Sequence, residues 1–198
     1  MKYFFIIFAE FMILVDSGAK EFKVFPNLPL GEYRVNVIAT QQCNANPNSS
    51  LRFNFFLFKT SRTTTELRGN ITVNNKAFDD SLLFRGNLAV KDKIGGWQNN
   101  AYVYNSPEAY SSLKKLFGPE FPFFLNSFGV NDTIHNSIPP GIYTTKGYDI
   151  SKFPANTNLP KQIFYGTYKS KVIYLDKNGN DVGCFSFTVE IKRPWEIE

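Results

Sequence analysis

One histidine, His135, stands in the polar run Asn131-Asp132-Thr133-Ile134-His135-Asn136-Ser137, where a carboxylate and a hydroxyl flank the imidazole. Nucleophilic catalysis needs a nucleophile, a base and a group that orients the base. This is the one place in the chain where an imidazole base is on offer. Nothing like Gly-x-Ser-x-Gly accompanies it, and polar loops of this composition are common without chemistry. Asp79-Asp80, Glu196 and Glu198 read equally well as solvated charges, so paired-carboxylate catalysis rests on nothing beyond their existence. Gly95-Gly96 is a turn and not a phosphate-binding loop. One His and two Cys exclude most zinc sites, which take three or four N or S ligands. The expectation is a non-enzymatic protein with no metal and no cofactor.

The elements that would position any site must therefore be read for binding. The 198 residues suit one domain with a real core, and 17% aromatic content excludes general disorder. Phe alone accounts for 21 positions, more than a small core needs. Met1-Lys2 is a short basic start, residues 3–15 are apolar except for Glu10, and Ser17-Gly18-Ala19 supplies small residues before Lys20. That is the layout of a secretory signal peptide at 1–19, too short for a comfortable transmembrane helix; a buried N-terminal helix is the alternative. Residues 20–198 are then a single secreted, extracellular domain with a net charge of +6.

In an oxidising compartment, Cys43 and Cys184 are most simply one disulfide, with two buried free thiols as the alternative. Sequons at Asn48, Asn70 and Asn131 fit secretion and, if used, mark surface loops or turns. The basic surplus (Lys91/Lys93, Lys114/Lys115, Lys169/Lys171, Lys192/Arg193) is scattered along the chain, which argues against a nucleic-acid partner. Transient contact with an anionic membrane surface is the more natural use of it, and solubility alone would also explain it.

Hydrophobic alternation dominates the domain. Tyr33, Val35, Val37 and Ala39 alternate with Arg34 and Asn36, and Leu51, Phe53, Phe55 and Leu57 form a second set. Phe56 and Phe58 make the far end of that second strand apolar on both faces, so its parity stays open. Leu67, Ile71 and Val73 mark a third strand, and Leu82, Phe84, Leu88 and Val90 a fourth. Gly95-Gly96 turns the chain into a fifth at 97–104. Segments 166–175 and 182–192 flank Asp176-Lys177-Asn178-Gly179-Asn180, a strong hairpin signal. Ser106-Pro107-Glu108 reads as an N-cap, a first-turn Pro and a first-turn acid. Tyr110, Leu113, Leu116 and Phe117 then share a helical face until Gly118-Pro119. Prolines 119 and 122 make Phe121-Pro122-Phe123-Phe124-Leu125 a poor strand and a broken helix. An irregular apolar connection is expected there, either plugging one end of a sandwich or forming the rim of an apolar cavity.

Residues 128–192 resemble the C-terminal half of the ganglioside activator protein and its insect secreted, chemosensory-type relatives, close to the ML lipid-recognition domains. The resemblance is carried by Ile138-Pro139-Pro140-Gly141-Ile142-Tyr143, by Leu159-Pro160 and by Gly166-Thr167-Tyr168. The polar hairpin at 176–181 and Gly183-Cys184 complete it. The family carries several cysteines just before the Gly-x-Tyr motif; here Asn126-Ser127-Phe128-Gly129-Val130-Asn131 has none, so the rim loop should be looser, or held by its Phe side chains instead.

The resemblance implies an all-β protein with one short helix, an antiparallel β-sandwich or β-cup around an apolar cavity. It implies a secreted, non-enzymatic carrier or presenter of lipid or other small hydrophobic ligands, associated in insect relatives with chemosensation. A lipid-processing enzyme or a protein receptor would be the partner. Candidate cavity or rim residues are Phe55, Trp97, Leu116, Phe117 and Phe121, continuing through Phe123, Phe124, Leu125 and Phe128. The competing reading is a secreted interaction module that uses the Phe-rich loop as a protein-binding surface.

Overall fold

The computed structural model describes residues 28–43, 49–62, 64–131, 136–153 and 156–196. The expected leader at 1–19, the sequon residue Asn48 and His135 lie outside the described residues. The chain forms β1 (Leu30–Gly31), β2 (Arg34–Gln42), β3 (Leu51–Lys59), β4 (Thr65–Val73), β5 (Leu83–Lys91) and β6 (Trp97–Ser106). Two helices follow, α1 (Ala109–Phe117) and α2 (Phe121–Ser127), with a 3-10 turn at Gly118–Glu120 between them. The chain then returns to strand in β7 (Gly141–Asp149), β8 (Ile163–Phe164), β9 (Gly166–Leu175) and β10 (Asp181–Lys192). Every strand pairing is antiparallel.

The result is the expected β-sandwich. A five-stranded sheet runs β2-β10-β9-β5-β6, a three-stranded sheet runs β3-β4-β7, and β1 pairs with β8. Alternation decides which side chains face inward. Leu51 is buried, Phe53 and Phe55 are half-buried, and Phe56 and Phe58 are exposed on the outer face, where Arg68 lies 3.8 Å over the Phe58 ring. The parity that the sequence leaves open is thus settled inward at 51, 53 and 55. Across the interior, Phe84, Val172 and Tyr174 answer from the wide sheet. A second cluster around Tyr168, Val189 and Ile191 lies at the far end of the same sheet, with Ile163 and Tyr165 packed against it.

The two sheets approach closely where β3 meets β10. A Cβ at Gly183 would sit 2.5 Å from Leu51 Cβ and 2.9 Å from the Leu51 carbonyl oxygen, so only glycine allows this approach. One residue on, Cys184 is bonded to Cys43, which follows β2. That disulfide spans 141 residues and constrains the unfolded chain by about 5 kcal/mol at most in the loop-entropy treatment. On the opposite flank α1 packs on β5 and α2 on β7.

Four readings of the sequence change here. Phe121–Ser127 is a helix, because Pro122 sits in its first turn, where no backbone N–H is needed. Ser106 ends β6, and the residue before α1 is Glu108 in an extended conformation with no side-chain cap. Gly141–Asp149 is a full strand, not merely a motif. Asn70 stands mid-strand in β4, where Asn54 Nδ2 donates to its Oδ1 at 3.1 Å, and not in a turn. No helix among the described residues is long and apolar enough to cross a membrane.

Replacing Gly183 by Ala must push β3 away from β10, and a loss of about 1–3 kcal/mol is expected, as for other overpacked cores. Thermal unfolding of Gly183→Ala checks it, and an unchanged midpoint would mean that the sheets do not meet there.

Candidate functional site

The interior is finished by α1 and α2. Local hydrogen bonds anchor this helical pair. The Ala109 amide donates to the Leu82 carbonyl at 3.0 Å, and the Ser111 amide and hydroxyl donate to the Asp80 carboxylate at 2.8 and 2.5 Å. Asp80, expected as a solvated charge, is therefore the group that fixes the start of α1. Asp79 caps its own turn by accepting from the Ser81 amide, and Glu196 pairs with Arg193 at 2.7 Å. At the far end of α1, Asn158 donates from its side chain to the Lys115 carbonyl and from its amide to the Leu116 carbonyl. These anchors leave Tyr110 and Leu113 turned toward the sheets.

The bend between the helices buries a carboxylate. Glu120 is only 3% exposed; Tyr148 of β7 donates its hydroxyl to Glu120 Oε1 at 2.8 Å, and Asn156 Nδ2 donates to Oε2 at 3.5 Å. Burial, then the hydrogen bond and charge of Glu120, hold the Tyr148 hydroxyl far above the usual phenol range. Sequence reading missed this pair because Glu120 looks like an ordinary loop acid between two breakers, and Tyr148 lies in a strand that was not foreseen.

Between the helices and the sheets lies a cavity of about 40 Å³. Its wall takes Leu51, Phe53 and Phe55 from β3, Ile71 and Val73 from β4, and Tyr174 and Phe185 from the wide sheet. Phe78, Leu113, Phe117, Phe124, Leu125 and Ile138 complete it. No charged side chain contributes, so the space has nothing to offer a polar or ionic group. The aromatic rings around it form a continuous network. Phe53 lies 5.0 Å from Phe185 and 5.6 Å from Tyr174, Phe55 lies 5.9 Å from Phe128, and Phe124 lies 5.2 Å from Phe128. Contacts of this kind contribute about 0.5–1.5 kcal/mol each beyond area burial. The wide-sheet hydroxyl of Tyr174 is also pushed up, by burial alone.

The candidate residues divide cleanly. Phe55, Phe117, Phe124 and Leu125 line the cavity. Phe121 and Phe128 are buried behind it, Phe121 edge-on to Tyr110 at 5.5 Å. Leu116 is half-buried against the core, with its carbonyl held by Asn158. Phe123 is 67% exposed and points away, since it falls on the outer face of α2. Trp97 is also elsewhere: it stands on the outer face of the wide sheet, under the ammonium of Lys169 at 4.4 Å. Missed by sequence reading were Phe78 and Ile138, which form an isolated bridge between two loops. Neither sits in an alternating run, so no periodic signal marked them.

Among the described residues no group of three or more His, Cys, Asp or Glu is placed to hold a metal. No protein-family model matches the sequence, and no curated protein matches it. Among solved structures, a chicken MD-1 complexed with lipid IVa is similar in fold, with a TM-score of 0.35 and 13% identity over 80% of this chain and 98% of that one.

The Glu120–Tyr148 pair sets a pH dependence. The Tyr148 hydroxyl ionises near 10.0 when unfolded and well above that when folded, so its contribution is complete below pH 10 and lost as pH rises beyond it. Tyr148→Phe should flatten that alkaline loss of stability. At neutral pH it should cost about 1–3 kcal/mol, because the buried Glu120 loses its donor. Urea unfolding at stepped pH measures both effects.

Proposed function

We propose that this protein is a secreted, non-enzymatic carrier of small hydrophobic ligands, held between the two sheets beneath the α1–α2 pair. The observation that carries the reading is the uncharged cavity wall drawn from both sheets and both helices. A lipid tail needs only apolar surface, and each buried CH₂ contributes about 0.8 kcal/mol. The Cys43–Cys184 bond fits an extracellular home, as do the proposed leader at 1–19 and glycosylation at Asn48, Asn70 and Asn131. The resemblance of 128–192 to the ganglioside activator group points the same way, toward lipid or a similar hydrophobic ligand in an insect-type secreted context.

Size decides how loading must work. Small-molecule sites usually enclose about 300–1,000 Å³, and the present cavity has about 40 Å³. An acyl chain enters only if the aromatic wall gives way. The two helices are the part of the wall that the strand ladders do not hold, so Phe117, Phe124 and Leu125 are the side chains that must move. The chain folds around its own rings when empty and exchanges them for ligand when loaded.

Native mass spectrometry of protein from a eukaryotic secretory host, before and after organic extraction, is the direct test. A lipid-sized mass lost on extraction is expected, together with saturable uptake of a fluorescent fatty acid by the extracted protein. An empty protein that takes up no probe would reduce the site to ordinary core. Val73→Leu adds one methylene to the cavity wall and separates the two readings further. It should stabilise the empty protein by about 0.5–2 kcal/mol, as cavity-filling changes do, and weaken probe uptake.

A further inference from the structure

Two hairpins of the wide sheet close with the same five-residue turn. Asp176-Lys177-Asn178-Gly179-Asn180 joins β9 to β10, and Asp92-Lys93-Ile94-Gly95-Gly96 joins β5 to β6. In each, the aspartate amide donates to the carbonyl of the fifth residue at 2.9 Å, and its carboxylate accepts from the amides of the third and fifth residues at 2.7–2.9 Å. In each, the fourth residue is a glycine at positive φ, +93° and +82°. The chemistry of the turn is complete without the third side chain. One turn places asparagine there, which suits a turn; the other places Ile94, 96% exposed. A β-branched apolar residue at a tip is unfavourable in water and adds nothing to the turn.

The surroundings of Ile94 carry positive charge. The register pairs Ala89 with Lys169 and Asn87 with Lys171 across β5 and β9, and Lys91 with Trp97 across β5 and β6. Lysines that are scattered in sequence therefore gather on the outer face of the sheet, Lys91 and Lys169 nearest the tip that holds Lys93 and Lys171 two residues farther along β9. Lys91, Lys93 and Lys171 have no ion-pair partner among the described residues. Of the nearby acids, Asp92 is taken up by its own turn and Glu190 is paired with Lys192 at 2.8 Å.

We propose that the β5–β6 tip docks the protein on an anionic lipid bilayer, Ile94 entering the interface while Lys91, Lys93, Lys169 and Lys171 meet the headgroups. A polyanion such as a sulfated glycan would satisfy the lysines and leave Ile94 in water; a bilayer satisfies both, with Trp97 at the depth where indole rings settle. The assignment stands apart from the cavity reading, because the tip lies on the outside of the sandwich and binds without a loaded ligand.

Co-sedimentation with phosphatidylcholine vesicles, with and without phosphatidylserine, tests it on the full chain. Binding to the anionic vesicles alone is expected, declining as salt rises. Lys91→Glu with Lys93→Glu should weaken it by about tenfold or more, and Ile94→Asn, which copies the sister turn and so keeps the hairpin, by about tenfold. Every variant is taken as secreted by the same eukaryotic host, so these differences report on the tip. Vesicle binding that ignores either variant would overturn the proposal. So would equal retention of wild type and Ile94→Asn on heparin with no vesicle binding, which would make the face a polyanion site.

Discussion

The interior of this protein follows from one contact, the seating of Leu51 on the bare backbone of Gly183. A strand of the narrow sheet lies that close to β10, and a disulfide ties β10 to the end of its neighbour β2 within the wide sheet, so the narrow sheet is seated on a cross-linked strand pair along one flank. The narrow sheet has three strands and the wide one five, so the far flank cannot be closed by strand on strand. Something bulky must fill the gap. The α1–α2 pair and a network of Phe and Tyr rings fill it, which is why the phenylalanine surplus is concentrated where it is. Four of the 21 lie in residues 1–19, and those at 117, 121, 124 and 128 belong to this filling.

Filling a wedge with rings has a consequence that aliphatic packing lacks. Ring contacts tolerate several orientations, from edge-on to stacked, at similar energy. The pairs here range from 22° for Phe185 and Phe187 to 89° for Phe124 and Tyr148. A core of this kind leaves small residual spaces because flat plates do not tile a wedge. The polar anchors sit at the ends of the helices: Asp80 at the start of α1, Asn158 at its end and Glu120 at the bend. They fix where the helices are attached, and Tyr148, which donates to Glu120, also packs its ring 5.3 Å from Phe124.

The strands of the wide sheet were legible because their burial is one-sided. Alternation at 83–91 and 166–175 reports an inner face against a wet outer one, and the segments read from sequence match the elements closely. Legibility failed where a local rule was outvoted. Prolines 119 and 122 look like breakers, but Pro122 occupies a first helical turn that has no hydrogen bond to lose. Gly147, at a φ of +135°, interrupts the pattern of β7, and Pro139-Pro140 just before it suggests a loop. The site was half legible for the same reason. Phe124 and Leu125 were named for the apolar run they stand in, not for spacing, while Phe78, Ile138 and Glu120 are set by tertiary contact alone and leave no periodic trace.

The two sister turns separate what the hairpin requires from what it leaves open. Aspartate, glycine and the backbone build both turns in the same way, so the third residue is relieved of any structural duty. Where nothing else is required, asparagine is the cheap choice in water. An isoleucine in the equivalent place costs solubility and contributes nothing to the hairpin, so its reason must lie outside the molecule. The same logic applies to the lysines around it. Strand pairing brings together charges that repel one another, which the fold tolerates and does not need. An apolar point set in a field of unpaired cations matches one common environment, the boundary between anionic headgroups and hydrocarbon.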